Sequence, residues 1–188
     1  MRNERPTLII VDMQQGMASP AAGPRNNPNA EQNIARLLTA WREAAAPLVH
    51  VRHISRTVGS PFWPGQPGVE FQPSLAPARG EHVVEKNVPD AFINTGLERW
   101  LRVRDLRKLA IVGVSTNNSV ESTARTAGNL GFDTCVVADA TFAFAKTDYS
   151  GQHRSADEVH AMALANLDGE YASVVTTDAL CNVLAMRR

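Results

Sequence analysis

Leu109-Ala110-Ile111-Val112-Gly113-Val114-Ser115-Thr116-Asn117-Asn118-Ser119-Val120-Glu121-Ser122-Thr123-Ala124-Arg125 is the stretch on which the fold turns. Its first four residues are a short, unbroken apolar run, the pattern of a central strand covered on both faces. A polar turn follows. From about Val120 to Leu130 the chain reads as a helix, with Gly131 placed to end it. Thr134 to Ala138 is strand-like again. A strand, a helix and a second strand in so short a span imply parallel pairing through a right-handed crossover.

The same alternation extends outward in both directions. Thr7 to Val11 is a first apolar strand, followed by a Pro-rich loop to about Pro28. Between Ala30 and Ala45, Ile34, Leu37, Leu38 and Trp41 recur at helical spacing, as on an amphipathic helix. Pro47 to Ile54 is the second strand and His82 to Glu85 the third. Thr95-Gly96-Leu97-Glu98 has the form of a capping box opening a helix to about Arg104. Ser155-Ala156-Asp157-Glu158 is another, before a helix to about Leu167. Ser173 to Thr176 is the sixth strand, and a last helix follows. The expectation is one domain over residues 1–188, of α/β class, with a six-stranded parallel sheet in a three-layer α/β/α sandwich. Ligands in such sheets bind beyond the carboxyl ends of the strands, where strand order reverses.

Residues 55 to 80 interrupt this pattern with five prolines and four glycines. A loop this long within a compact domain is usually functional or disordered. Phe62, Trp63 and Phe71 point to an ordered lid or an oligomer contact.

The bulk composition narrows the function classes. With 19 basic and 19 acidic residues the net charge is zero, unlike a nucleic-acid or anionic-membrane binder. No apolar run reaches the roughly 20 residues of a membrane helix. The N-terminus lacks the length and flanks of a signal peptide. Cys135 and Cys181 form no Cys-x-x-Cys pair. A cytoplasmic protein without a disulfide is expected.

Three polar residues stand at predicted strand ends. Asp12 follows the first strand, either capping a turn or working in a site. Lys86 follows the third, where a solvated surface charge is the local alternative. Ser119 lies between the fourth strand and its helix, where serine serves well as an N-cap. No His-Asp pairing or Gly-x-Ser-x-Gly elbow supports a serine hydrolase.

These residues sit in words that occur together, in order, along nearly the whole chain. They are Ile10-Val11-Asp12-Met13-Gln14, Val83-Val84-Glu85-Lys86 ahead of Phe92 and Thr95-Gly96-Leu97, Gly113-Val114-Ser115-Thr116-Asn117, Val120-Glu121-Ser122-Thr123-Ala124-Arg125 and Val137-Ala138-Asp139-Ala140. The set resembles the isochorismatase-like cysteine hydrolases. The resemblance implies an Asp, Lys and Cys triad at Asp12, Lys86 and position 119, where this chain has serine. It also implies an oxyanion hole from the N–H groups of Ser115 and Ser119, beside a cis peptide between Val114 and Ser115. A homo-oligomer, dimer or tetramer, is expected from the same likeness.

The chemistry suits a thiol. A cysteine at a helix N-terminus beside a cation has a lowered pKa. Asp12 can take its proton and return it to a leaving amine. Thiolate attack on a small amide, ureido or related C–N substrate gives an oxyanion held by backbone N–H groups, then a thioester that water hydrolyses. A serine at 119 should bind substrate and turn it over slowly. The favoured origin of Ser119 is a cysteine exchanged on purpose. The alternatives are a natural serine, as in a vinyl-ether hydrolase of isochorismatase type, or a binding protein without turnover.

No metal and no cofactor are expected. The five histidines form no His-Glu-x-x-His pattern. The Asp-x-His element of nicotinamidases has no Asp in His50-Val51-Arg52-His53. A Gly-x-Gly-x-x-Gly fingerprint is lacking too, against a dinucleotide-binding dehydrogenase. For substrate contacts the candidates are Gln14, His53, Trp63, Asn117 and Phe142, with Phe62, Phe71 and Phe144 as further wall. Each could instead serve the core, the loop backbone or a subunit contact. The expected partner is a small molecule, with no nucleic acid and no membrane.

Overall fold

The computed structural model describes residues 5–185. Strand β1 (Thr7–Val11) leads to α1 (Ala30–Glu43), β2 (Leu48–His53), β3 (His82–Lys86), α2 (Leu97–Val103) and β4 (Lys108–Val114). Then come α3 (Glu121–Asn129), β5 (Asp133–Phe142), a hairpin of β6 (Lys146–Thr147) and β7 (His153–Arg154), α4 (Ala156–Leu167), β8 (Ser173–Val175) and α5 (Thr177–Ala185). The six long-range strands pair in parallel throughout, in the order β3-β2-β1-β4-β5-β8. This is the expected three-layer α/β/α architecture.

Alternation along β1 divides the core in two. Leu8 and Ile10 pack with Ile34, Leu37, Leu38 and Trp41 of α1 and Leu180 and Leu184 of α5. Ile9 and Val11 face the other way, with Leu97 and Leu101 of α2, Ala124 and Ala127 of α3 and Leu167 of α4. All five residues of β1 are buried, which is why this strand reads as a continuous apolar run.

Strand order reverses at β1, which has β2 on one side and β4 on the other. The chain can pass β4 here only because residue 113 is glycine. Its φ is +117°, and a Cβ would stand 2.1 Å from the Val11 carbonyl oxygen.

Several boundaries differ from expectation. β5 runs on to Phe142, pairing Thr141 with Gly113 and Phe142 with Val114. The Thr95 capping box does not form: α2 begins after Gly96, Thr95 Oγ1 donates to the Ala91 carbonyl, and Glu98 pairs with Arg102. The box at Ser155 and Glu158 is complete. The long loop is docked, with Val69 and Leu75 buried in short turns. No helix among the described residues is long and apolar enough to cross a membrane.

Candidate active site

Three side chains from three strand ends meet at the reversal point. Asp12 leaves β1 in a left-handed conformation, φ 53°, which Asp tolerates better than most residues. Its N–H donates to the Val51 carbonyl, which holds it against β2. Lys86 ends β3, two strands away. Val84 and Lys86 point inward on β3 while Val83 and Glu85 point out, so alternation carries the lysine over the end of β2. Its Nζ donates to Asp12 Oδ2 at 2.7 Å and to Ser119 Oγ at 3.2 Å. Asp12, Lys86 and Ser119 are 1%, 2% and 5% exposed, so water does little to screen this pair.

The electrostatics are those of a buried, coupled pair. Burial pushes the Asp12 carboxyl above its ordinary pKa of 3.8, against the opposing pull of Lys86 and Ser119. Asp12 Oδ1 is buried and accepts no hydrogen bond among the described residues. One oxygen of the carboxylate thus faces Lys86, and the other has no such partner.

Ser119 sits on a wide turn, Thr116–Val120, that leads into α3. The Val120 N–H reaches back five residues to the Ser115 carbonyl at 3.2 Å, and the Asn118 N–H bonds the same oxygen at 3.1 Å. Such π-helical turns favour functional sites. The serine is therefore inside the turn, four residues past its N-cap Ser115, and does not cap it. The peptide between Val114 and Ser115 is cis.

The segment after Lys86 is also held. Asp90 accepts from the Phe92 N–H and from Thr126 Oγ1, and the Ala91 N–H donates to Thr123 Oγ1. These bonds tie residues 90–92 to α3, next to the turn.

The expected substrate contacts divide. Gln14 is fully buried and its amide is spent: Nε2 donates to the carbonyls of His53 and Val69, both at 2.9 Å, and Oε1 accepts the His53 N–H at 2.8 Å. It staples β1, β2 and the long loop together, which corrects its reading as a ligand contact. Phe142 is corrected as well. As the last residue of the lengthened β5 it is fully buried, with Arg25 3.9 Å above its ring and Phe144 edge-on to it.

His53 is half-buried and close enough to Lys86 and Asp12 to feel both charges. Burial and the Lys86 charge lower its pKa, while Asp12 opposes them. Its ring is edge-on to Phe62. Phe62 in turn lies over Gly16, where a Cβ would come within 2.6 Å of the ring. Trp63 is half-buried in the turn that its N–H closes on Ser60. Asn117 lines a hollow of about 440 Å³ beside the turn, with Ser115, Asn118, Phe144, Ala145 and Lys146. Larger hollows lie elsewhere, along β3 and α2 and beneath α4, and contain none of Asp12, Lys86 and Ser119.

Sequence reasoning missed Thr116, His160 and Asn27, which brace the turn from below. Thr116 and His160 are 44 positions apart and share no motif, so no local signal joins them.

Comparison with known proteins gives the same class. The isochorismatase domain matches residues 6–179. The isochorismatase-family protein YrdC of Bacillus subtilis (strain 168) is 37% identical, over 95% of this chain and 96% of its own length. Maleamate amidohydrolase of Pseudomonas putida (strain KT2440) is 27% identical, over 92% of this chain and 83% of its own. The crystal structure of a hydrolase of the isochorismatase family from Chromobacterium violaceum ATCC 12472 superposes with a TM-score of 0.95. It shares 50% identity, covering 99% of this chain and 96% of that one. The chain belongs to the isochorismatase family of hydrolases, some of whose members act on amide C–N bonds.

Proposed function

We propose that this protein is a hydrolase of a small amide, ureido or related C–N substrate. Residue 119 is the nucleophile position, Asp12 the acid and base, and Lys86 their electrostatic partner. The observation that carries this reading is the reach of one buried Lys86 ammonium to both Asp12 Oδ2 and Ser119 Oγ. A relative named for hydrolysing maleamate, an amide, supports the bond type.

In this mechanism the substrate carbonyl lies over residue 119, with its oxygen toward the N–H groups of Ser115 and Ser119. Asp12 removes the nucleophile's proton and delivers it to the departing nitrogen. Water then attacks the acyl-enzyme, with Asp12 again as base. An alcohol is a far weaker acid than a thiol, and a carboxylate is a poor base for it. Ser119 therefore gives binding with slow turnover.

A second reading has its own support. Burial raises the Asp12 pKa and leaves its Oδ1 unbonded, as suits an acid that protonates substrate directly. That is the requirement of a vinyl-ether hydrolase, which needs no nucleophile at 119.

The test is ammonia release from a panel of small amides and ureas by the chain, its Ser119→Cys variant and Ser119→Cys with Asp12→Asn. The first reading expects turnover from Ser119→Cys alone. Hydrolysis of a vinyl ether by the unaltered chain, lost on Asp12→Asn, would establish the second. Ligand binding without turnover by any form would leave a binding protein.

A further inference from the structure

The turn that carries Ser119 is fastened by a side chain from another helix. Thr116 begins the turn next to Ser115 and is fully buried. Its Oγ1 lies 2.8 Å from Nδ1 of His160 on α4, a side chain 9% exposed. The other ring nitrogen, Nε2, is 3.5 Å from Asn27 Nδ2. That amide nitrogen also donates to the carbonyls of Ala138 at 2.8 Å and Thr141 at 2.6 Å.

Counting hydrogens favours one tautomer. An amide nitrogen has two, and Asn27 spends both on carbonyls. It has none left for the ring, so a bare Nε2 would have no donor there, whereas a hydrogen on Nε2 has the Ala138 carbonyl as its acceptor beside the ring. Nδ1 is then the bare nitrogen, and the Thr116 hydroxyl donates to it. A buried hydroxyl and a buried imidazole are both satisfied by one arrangement.

We infer that His160 is a positioning residue: as the Nε2–H tautomer it accepts the Thr116 hydroxyl hydrogen and sets the turn that presents Ser119 and the Ser115 N–H. The inference deepens the function proposed for this site, because the turn is that reading's nucleophile turn. The ring faces three elements besides α4: the turn, through the Thr116 hydroxyl, β5, through the Ala138 carbonyl, and the loop before α1, whose Asn27 amide packs beside Nε2 while bonding Ala138 and Thr141. The charged neighbour that acts on it is Asp157. Burial pushes the imidazole pKa below its ordinary value, against Asp157 and the Ala138 carbonyl.

The experiment has two arms that do not depend on turnover. Imidazole 15N NMR of the full chain should show His160 with Nε2 protonated and Nδ1 bare. Amide hydrogen exchange at residues 118–120 should quicken about tenfold in Thr116→Val and His160→Leu, as expected for one lost hydrogen bond. Thr116→Ser and His160→Gln keep the donor and the acceptor, and should hold exchange near the original rate. In a Ser119→Cys background, Thr116→Val should lower kcat about tenfold with KM unchanged. The opposite tautomer, or unchanged turn exchange in a folded Thr116→Val, overturns the inference. If Thr116→Val does not fold, the tautomer in the unaltered chain decides. Absence of turnover in Ser119→Cys, with tautomer and exchange as expected, overturns the proposed function and leaves this inference standing.

Discussion

Removing Lys86 leaves a carboxyl group buried without its cation, and the consequence is a pH dependence of known sign. In Lys86→Met the folded state must either hold Asp12 as an unpaired buried anion or keep it protonated. Asp12 already has a raised pKa in the intact site, and loss of Lys86 takes away the main influence that holds it down. The unfolded chain, by contrast, releases that proton near the ordinary value of 3.8. A group whose folded pKa is raised stabilises fully below its unfolded pKa, and that contribution disappears as pH rises through the folded one. A variant that keeps Asp12 protonated up to pH 7 therefore loses about 1.4 kcal/mol for each pH unit above 3.8, about 4 kcal/mol in all. This agrees with the roughly 3–5 kcal/mol cost of breaking a buried ion pair on one side. The assay is urea unfolding of the chain and of Lys86→Met at pH 5 and pH 7, comparing the difference so that other titrating groups cancel. That difference should be smaller at pH 5, by up to about 3 kcal/mol, less whatever the raised Asp12 of the intact site already loses between pH 5 and pH 7. Adding Asp12→Asn to Lys86→Met should abolish the pH dependence. A Lys86→Met penalty that is the same at both pH values would refute the buried-pair reasoning.

Two further outcomes follow from other parts of the molecule. Gly113→Ala places a Cβ 2.1 Å from the Val11 carbonyl oxygen at φ +117°, so it should cost about 3 kcal/mol or more and lower Tm by about 6 °C or more in thermal melts. Glu81 is held down to about 2 although burial opposes it, because Arg42, the Ala78 N–H and His50 all donate to it. A lowered carboxylate stabilises above its unfolded pKa and loses that stabilisation as pH falls through the folded one. Glu81→Gln should accordingly flatten the decline of Tm between about pH 4.5 and 2, with a modest amplitude because the group is partly solvated.

The sheet was legible because its strands are buried on both faces. Thr7 to Val11 and Leu109 to Val112 are unbroken apolar runs, and parallel pairing followed from the helices between them. The far half of β5 was not legible, because Asp139 interrupts its apolar pattern. The structure shows why a charge is tolerated there: Asp139 Oδ1 accepts from the Thr177 N–H and hydroxyl, capping the start of α5. With that extension unread, the place of Phe142 stayed open between pocket wall and core, and the structure puts it in the strand and the core. The β6–β7 hairpin pairs only two residues on each side and has no apolar pattern to read. Its turn is organised by Asp148, which bonds Ser150, Gln152 and Arg154. The role of Gln14, substrate contact or support for loop backbone, could not be decided from sequence, since which groups consume its amide depends on a loop 55 residues away. The spacing of Asp12, Lys86 and Ser119 along the chain contains no trace of their meeting. That required strand order, the inward direction of Lys86 and the wide turn at Ser119 together.

In the proposed mechanism, the charge of the assembled site makes the atom at position 119 decisive. One cation and one carboxylate make a neutral buried pair. Ionising a nucleophile beside them by loss of its proton to solvent would add an uncompensated negative charge in a place that water barely reaches. Passing the proton to Asp12 instead keeps the total charge of the site constant: the carboxylate becomes neutral as the nucleophile becomes an anion, and Lys86 changes partner over a distance it already spans. The cost of that transfer is the gap between the two acids, about 1.4 kcal/mol for each pKa unit. Burial raises Asp12, and a cation with a helix start lowers a thiol from about 8.5, so a cysteine closes the gap from both sides. A serine starts from a far weaker acid and leaves most of the gap open. The same raised Asp12 that helps a thiol can give its proton directly to an enol ether, which avoids an anionic nucleophile altogether. The two proposed chemistries therefore use one electrostatic arrangement. They separate on whether activity follows residue 119 or only Asp12.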